Sequence, residues 1–184
     1  MTACGFAAII GAPNAGKSTL VNALVGTKVA IVSPKVQTTR MPVRGIAMRG
    51  EAQIVFVDTP GIFRPRRRLD RAMVAAAWTG AQEADAILLV VDAREADEKS
   101  LAMRDTRAIL DGLKNVPDKR KALVLNKIDG MKRTDLLPLV ESLRAGFEDV
   151  FLVSALKDQG VEDVAAWVAA RMPEGPWLYP ADQA

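Results

Sequence analysis

The sequence predicts an α/β domain: a mostly parallel six-stranded sheet with one antiparallel edge strand and helices on both faces. Three observations carry this. Short apolar runs alternate with amphipathic stretches of helical spacing along the whole chain. The run Ala86–Val91 is apolar without a break, as a strand buried on both faces must be. Polar motifs recur where the apolar runs end, which is where an open parallel sheet binds its ligands. With 184 residues, 49% of them apolar, the chain can build a core and is not of disordered composition.

The first strand is Phe6–Ile10. It runs into Gly11-Ala12-Pro13-Asn14-Ala15-Gly16-Lys17-Ser18, and an amphipathic run from Lys17 to Val25 predicts a helix that stops at Gly26. Residues 27–42 are polar and punctuated by proline, with Thr38-Thr39-Arg40 at their centre. Val43–Met48 and Gln53–Val57 are short strands separated by Arg49-Gly50-Glu51. A turn that tight pairs them antiparallel and puts the first at an edge. Asp58-Thr59-Pro60-Gly61-Ile62 ends the second. Asp70 is placed as the N-cap of a helix reaching Gln82. Ala102, Ile109, Leu110 and Leu113 share one face of a helix over Glu98–Leu113.

Lys121–Leu125 is a further strand, ending in Asn126-Lys127-Ile128-Asp129. Leu136, Leu139, Val140, Leu143 and Phe147 mark a helix with Pro138 in its first turn. Val150–Val153 is the last strand, followed by Ser154-Ala155-Leu156. Val161, Val164, Ala165 and Val168 mark the last helix, closed by Pro173. Residues 1–172 read as one domain, and 173–184, rich in proline and aromatics, as an ordered linker. Trp167, Trp177 and Tyr179 read as packing residues.

Composition narrows the chemistry. The net charge of +3 comes from 25 basic and 22 acidic residues, too small an excess to mark a nucleic-acid surface by itself. There is no histidine, so imidazole is neither a base nor a metal ligand. The single cysteine, Cys4, cannot form an internal disulfide, which fits a reducing compartment. No signal peptide and no membrane-spanning run is expected.

The motifs supply the chemistry. Gly11–Ser18 matches G-x-x-x-x-G-K-[ST] between a strand and a helix. Its main-chain N–H groups can cradle a phosphate chain, with Gly11 and Gly16 allowing close approach. Lys17 adds a point charge to the outer phosphates, and the Ser18 hydroxyl, followed by Thr19, is placed to hold Mg²⁺. Asp58 and Gly61 form D-x-x-G: the carboxylate can hold a water on Mg²⁺ opposite Ser18, and the Gly61 N–H can meet a γ-phosphate. Thr39 is the candidate to complete the Mg²⁺ shell and orient the attacking water, with its neighbour Thr38 as rival.

Asn126-Lys127-Ile128-Asp129 points to the base. A carboxylate accepts both guanine N1–H and its 2-amino group, a donor pair adenine lacks. Ser154-Ala155-Leu156 would close over that base, with the Ala155 N–H facing guanine O6. Arg64-Pro65-Arg66-Arg67-Arg68 reads either as a solvated loop or as a contact for RNA or a membrane surface.

Together these blocks resemble the translation-factor-related P-loop GTPases with a Ras-like G domain. The runs Ser18-Thr19-Leu20-Val21-Asn22-Ala23-Leu24-Val25-Gly26, Val32-Ser33-Pro34-Lys35-Val36-Gln37-Thr38-Thr39-Arg40 and Pro173-Glu174-Gly175-Pro176-Trp177-Leu178-Tyr179-Pro180 are similar to the Era family. That resemblance implies a GTP-hydrolysing switch in assembly of the small ribosomal subunit, cytoplasmic, with peripheral contact at the inner membrane. It implies GTP or GDP with Mg²⁺ as ligands, 16S rRNA and the 30S subunit as partners of the full-length protein, and a monomeric domain. Era proteins continue into an RNA-binding KH domain, which this chain does not reach. Ile62 stands where Ras-like GTPases carry a glutamine, so no side-chain amide can orient water there. Asn14 matches an asparagine that helps related GTPases bind K⁺ beside the phosphates, giving Asn14, Lys17, Thr39 and Gly61 as the catalytic set. Slow intrinsic turnover, on the order of 10⁻³ s⁻¹ or below, follows from the incomplete positioning. Two alternatives stay open: the GTPase domain of a tRNA-modifying enzyme, and a module that holds GTP or GDP with negligible turnover.

Overall fold

A computed structural model describes residues 1–26, 42–58, 81–95 and 100–180. Six strands form one sheet in the order β2-β3-β1-β4-β5-β6. They are β1 (Ala3–Gly11), β2 (Val43–Arg49), β3 (Ala52–Asp58), β4 (Ala86–Asp92), β5 (Lys121–Asn126) and β6 (Asp149–Leu152). All neighbours are parallel except β2 and β3, which form an antiparallel hairpin at the edge. Gly50, at φ 60°, makes the sharp reversal between them.

The described helices are α1 (Lys17–Val25), α2 (Leu101–Gly112), α3 (Arg133–Leu143) and α4 (Val161–Ala169). Strand alternation divides the core in two. Ala7, Ile9, Leu88 and Val90 face one layer with Leu20 and Leu24 of α1 and Val164 and Val168 of α4. Ala8, Ile10, Ile87 and Leu89 face the other with Ile109 of α2 and Leu136 and Leu143 of α3. Every residue of β4 from Ala86 to Val91 is buried, as the unbroken apolar run required. Because β1 lies between β3 and β4, the strand order reverses at β1, and a crevice opens at its carboxyl end.

Four helix boundaries differ from the sequence reading. The Ser100 hydroxyl accepts from the Met103 N–H at 3.0 Å, so α2 begins at Leu101; Glu98 lies outside the described residues. Helix α3 begins at Arg133, so Pro138 sits in its second turn, where it removes the bond its N–H would make to Thr134. That helix ends at Leu143, before Phe147, with Gly146 at φ 88° just beyond. Helix α4 stops at Ala169, ahead of Pro173. The Asp70 cap lies outside the described residues.

Residues 173–180 pack on the end of the sheet opposite the crevice. Cys4 N–H donates to Pro173 O and Gly175 N–H to Thr2 O, both at 3.0 Å. Gln53, fully buried in β3, accepts from the Leu178 and Tyr179 N–H groups and donates to Tyr179 O. Trp167 and Tyr179 are buried, and the Trp177 indole N–H donates to Glu51 O, in keeping with packing roles.

Candidate functional site

Among the described residues, the crevice is lined by the loops that leave β1, β4, β5 and β6 and by the carboxyl end of β3. The β1 loop turns through Asn14 at φ 67° and Gly16 at φ 97° before entering α1. A Cβ on Gly16 would stand 2.2 Å from Asn126 Nδ2, and one on Gly11 would stand 2.5 Å from Val90 O. Both glycines are therefore required by the close approach of protein atoms from neighbouring strands. Ala12 and Ala15 are buried beneath the loop, while Pro13, Asn14, Ser18 and Thr19 lie toward its open side.

Lys17 curls back over its own loop. Its Nζ donates to Gly11 O at 2.8 Å and Ala12 O at 3.0 Å. Burial pushes its pKa below the usual lysine range; Asp58 opposes that shift and Arg44 adds to it.

At the other end of the crevice, Asn126 ties two loops together. Only 2% of its surface is exposed. Its Nδ2 donates to Ala15 O at 3.0 Å, and its Oδ1 accepts from the Ala155 N–H at 3.0 Å. A buried amide must satisfy both ends, and this one does so across the phosphate loop and the β6 loop. The Ala155 N–H, expected to face guanine O6, is thus engaged by Asn126.

Lys127 follows in the left-handed region at φ 65°, uncommon for a side-chain-bearing residue. Its Nζ donates to Asn14 O at 2.7 Å and pairs with Asp92 at 2.9 Å. Ile128 anchors its turn through a 3.3 Å bond from its N–H to Val153 O.

Asp129 is held from two sides. Ser154 Oγ donates to its Oδ1 at 3.0 Å. Arg94, just past β4, donates to its Oδ2 at 3.0 Å and its carbonyl at 2.7 Å. The Ser154 hydroxyl foremost, and then Arg94 and Lys157, hold the Asp129 carboxyl below the usual carboxylate range, against an opposing effect of burial. It is an anion at neutral pH, ready to accept hydrogen bonds. Leu156, on the β6 loop that also carries Ser154, stands 81% exposed.

Ser18 and Asp58, the residues expected to hold Mg²⁺, share one neighbour. Arg44 Nη2 donates to the Ser18 hydroxyl, and Arg44 Nε lies 3.6 Å from Asp58 Oδ2. One cationic group thus joins a hydroxyl and a carboxylate from α1 and β3. Hard oxygen donors converging on one positive charge fit a Mg²⁺ site. Among the described residues no cluster of three or more carboxylate, thiol or imidazole side chains exists to make an all-protein metal site.

Thr38, Thr39, Thr59, Pro60, Gly61, Ile62 and the Arg64–Arg68 cluster lie outside the described residues. Sequence reasoning missed Arg44, Asp92 and Arg94. Asp92 carried a usable signal: like Asp58, it is a carboxylate at the carboxyl end of an apolar strand.

The fold and these loops define a P-loop GTPase domain of the Ras-like type. The chain belongs to the family described as 50S ribosome-binding GTPase, which matches residues 6–127. It is 55% identical to GTPase Era of Caulobacter vibrioides over 193 aligned residues, covering 99% of this chain and 61% of that protein. It is 57% identical to GTPase Era of Rhizobium meliloti, covering 99% of this chain and 57% of that protein. Among solved structures it is similar to a single-residue variant of Aquifex aeolicus Era bound to GDP.AlF4⁻, with 38% identity, a TM-score of 0.76, and 98% and 61% of the two chains covered. It matches equally Era in complex with MgGDPNP and nucleotides 1506–1542 of 16S ribosomal RNA, at 38% identity and TM-score 0.76, over 99% and 61% of the two chains. The chain spans about six tenths of the length of these relatives. No helix among the described residues is long and apolar enough to cross a membrane.

Proposed function

We propose that this chain is the nucleotide-binding and GTP-hydrolysing portion of a longer switch protein that acts in small-subunit assembly through 16S rRNA. The observation that carries it is Asn126, which locks the phosphate loop to the β6 loop and so sets Asp129 at a fixed distance from Lys17. In this reading the base of a purine nucleoside triphosphate lies at Asp129 and its phosphates at Lys17. The relatives solved with GDP.AlF4⁻, and with MgGDPNP and 16S rRNA, support the ligand and partner classes.

In this reading Gly11–Thr19 hold the phosphates, and Asn126–Asp129 with Ser154–Leu156 hold the base. Ser18, Thr39 and, through water, Asp58 would hold Mg²⁺, which would neutralise charge on the phosphates. Thr59–Ile62 close on the outer phosphate, with the Gly61 N–H as donor. Residues 173–184 lead toward the C-terminal, RNA-binding part of the full-length protein; the anchoring of Leu178 and Tyr179 on Gln53 supports a fixed exit from the G domain. Asn14 has its backbone fixed by Lys127 and its side chain at the surface, which suits a role in holding K⁺.

Single-turnover assays with labelled GTP test this. The expected result is preferential GTP binding over ATP and hydrolysis on the order of 10⁻³ s⁻¹ or below without a partner, faster in KCl than in NaCl. Equal rates in the two salts remove K⁺ and Asn14 from the mechanism. Failure to bind GTP overturns the whole reading.

A further inference from the structure

The β2–β3 ladder pairs Val43 with Val57 and then Gly45 with Phe56, leaving Arg44 as an extra residue in a bulge. Bulges re-aim side chains, and they occur preferentially at sheet edges and beside functional sites. The next residue brings β2 close to α1: a Cβ on Gly45 would stand 2.7 Å from Val25 Cγ2. Bulge and close approach together carry the Arg44 guanidinium to the start of α1, where it meets the Ser18 hydroxyl and the Asp58 carboxylate.

From this arrangement we propose that Arg44 is an internal counter-cation that competes with Mg²⁺ for Ser18 and Asp58. This rests on the reading of those two residues as metal ligands given above. The chemistry is one of mutual exclusion. The Ser18 oxygen has two acceptor lone pairs, but a guanidinium on one would lie within a few ångströms of a divalent ion on the other, and the same holds at Asp58, so the two cations repel each other. With Mg²⁺ scarce, Arg44 neutralises Asp58 and spares a bound diphosphate the repulsion of a bare carboxylate. With Mg²⁺ abundant, Arg44 swings outward, which its 39% side-chain exposure allows. The protein should therefore retain GDP with unusually little dependence on Mg²⁺.

The test is the dissociation rate of a fluorescent GDP from wild type, Arg44→Ala and Arg44→Gln, titrated from EDTA to excess MgCl₂, with melting curves to establish folding. Wild type should show a shallow Mg²⁺ dependence. Arg44→Ala should release GDP faster in EDTA and reach half its Mg²⁺ effect at roughly threefold to tenfold lower Mg²⁺, the range for a partly exposed charge. Arg44→Gln keeps donors but loses the charge and should follow Ala; it decides the matter if Ala unfolds. Variant and wild-type titrations that superimpose overturn the competition and leave the functional reading standing. Wild type that holds no guanine nucleotide overturns both.

Discussion

The two ends of the crevice are built differently. At the base end, everything comes from short loops at the ends of buried strands, and the polar groups satisfy one another: Asn126 joins Ala15 to Ala155, and Asp129 is gripped by Ser154 and Arg94. At the phosphate end, the β1 loop is equally set, but the oxygen donors next to it are joined by an arginine from a bulged edge strand. On the readings proposed above, base selection rests on these interlocked loops, whereas charge handling rests on exchanging one cation for another. A switch needs that division: constant specificity with a variable grip on the outer phosphates.

The largest expected effect breaks the base end. Asn126→Ala leaves the Ala15 carbonyl and the Ala155 N–H without their buried partner, which costs about 2–4 kcal/mol in total. Thermal unfolding should shift down by roughly 5–15 °C for a chain of this size. A shift within about 2 °C means water replaces the amide and the two loops are not locked by it.

A much smaller effect is expected at Arg94. Its side chain is 53% exposed, so its pair with Asp129 contributes about 0–1 kcal/mol. Arg94→Ala should change GDP affinity by about threefold or less, measured by fluorescence titration. A loss beyond about tenfold would move Arg94 from orienting Asp129 to contacting the nucleotide.

Much of this was legible in the sequence because it is local. Gly11–Ser18 and Asn126–Asp129 are continuous segments, and apolar runs point to each of them. Gln53 was a signal of another kind, an amide inside an apolar strand that had to find partners, which the 173–180 segment supplies. The start of α3 was not legible, since Arg133-Thr134-Asp135 is a polar first turn with no periodicity; reading the helix from its apolar face shifted Pro138 by a turn. Arg44 and Arg94 were invisible for a different reason. Each reaches its partner across the fold, and Arg44 does so only through a bulge that no residue pattern announces. The bond from the Ala155 N–H to Asn126 was not legible either, because its acceptor lies on another strand end.

On the reading proposed above, one carboxylate, that of Asp129, reads the base. Asp129→Asn tests it most directly, by competition of xanthosine triphosphate against labelled GTP. The variant replaces one acceptor with a donor, which mismatches the 2-amino group of guanine and matches the 2-carbonyl of xanthine. GTP affinity should fall by at least about a hundredfold, and xanthosine triphosphate should overtake GTP. An Asp129→Asn protein that still prefers GTP would contradict that reading.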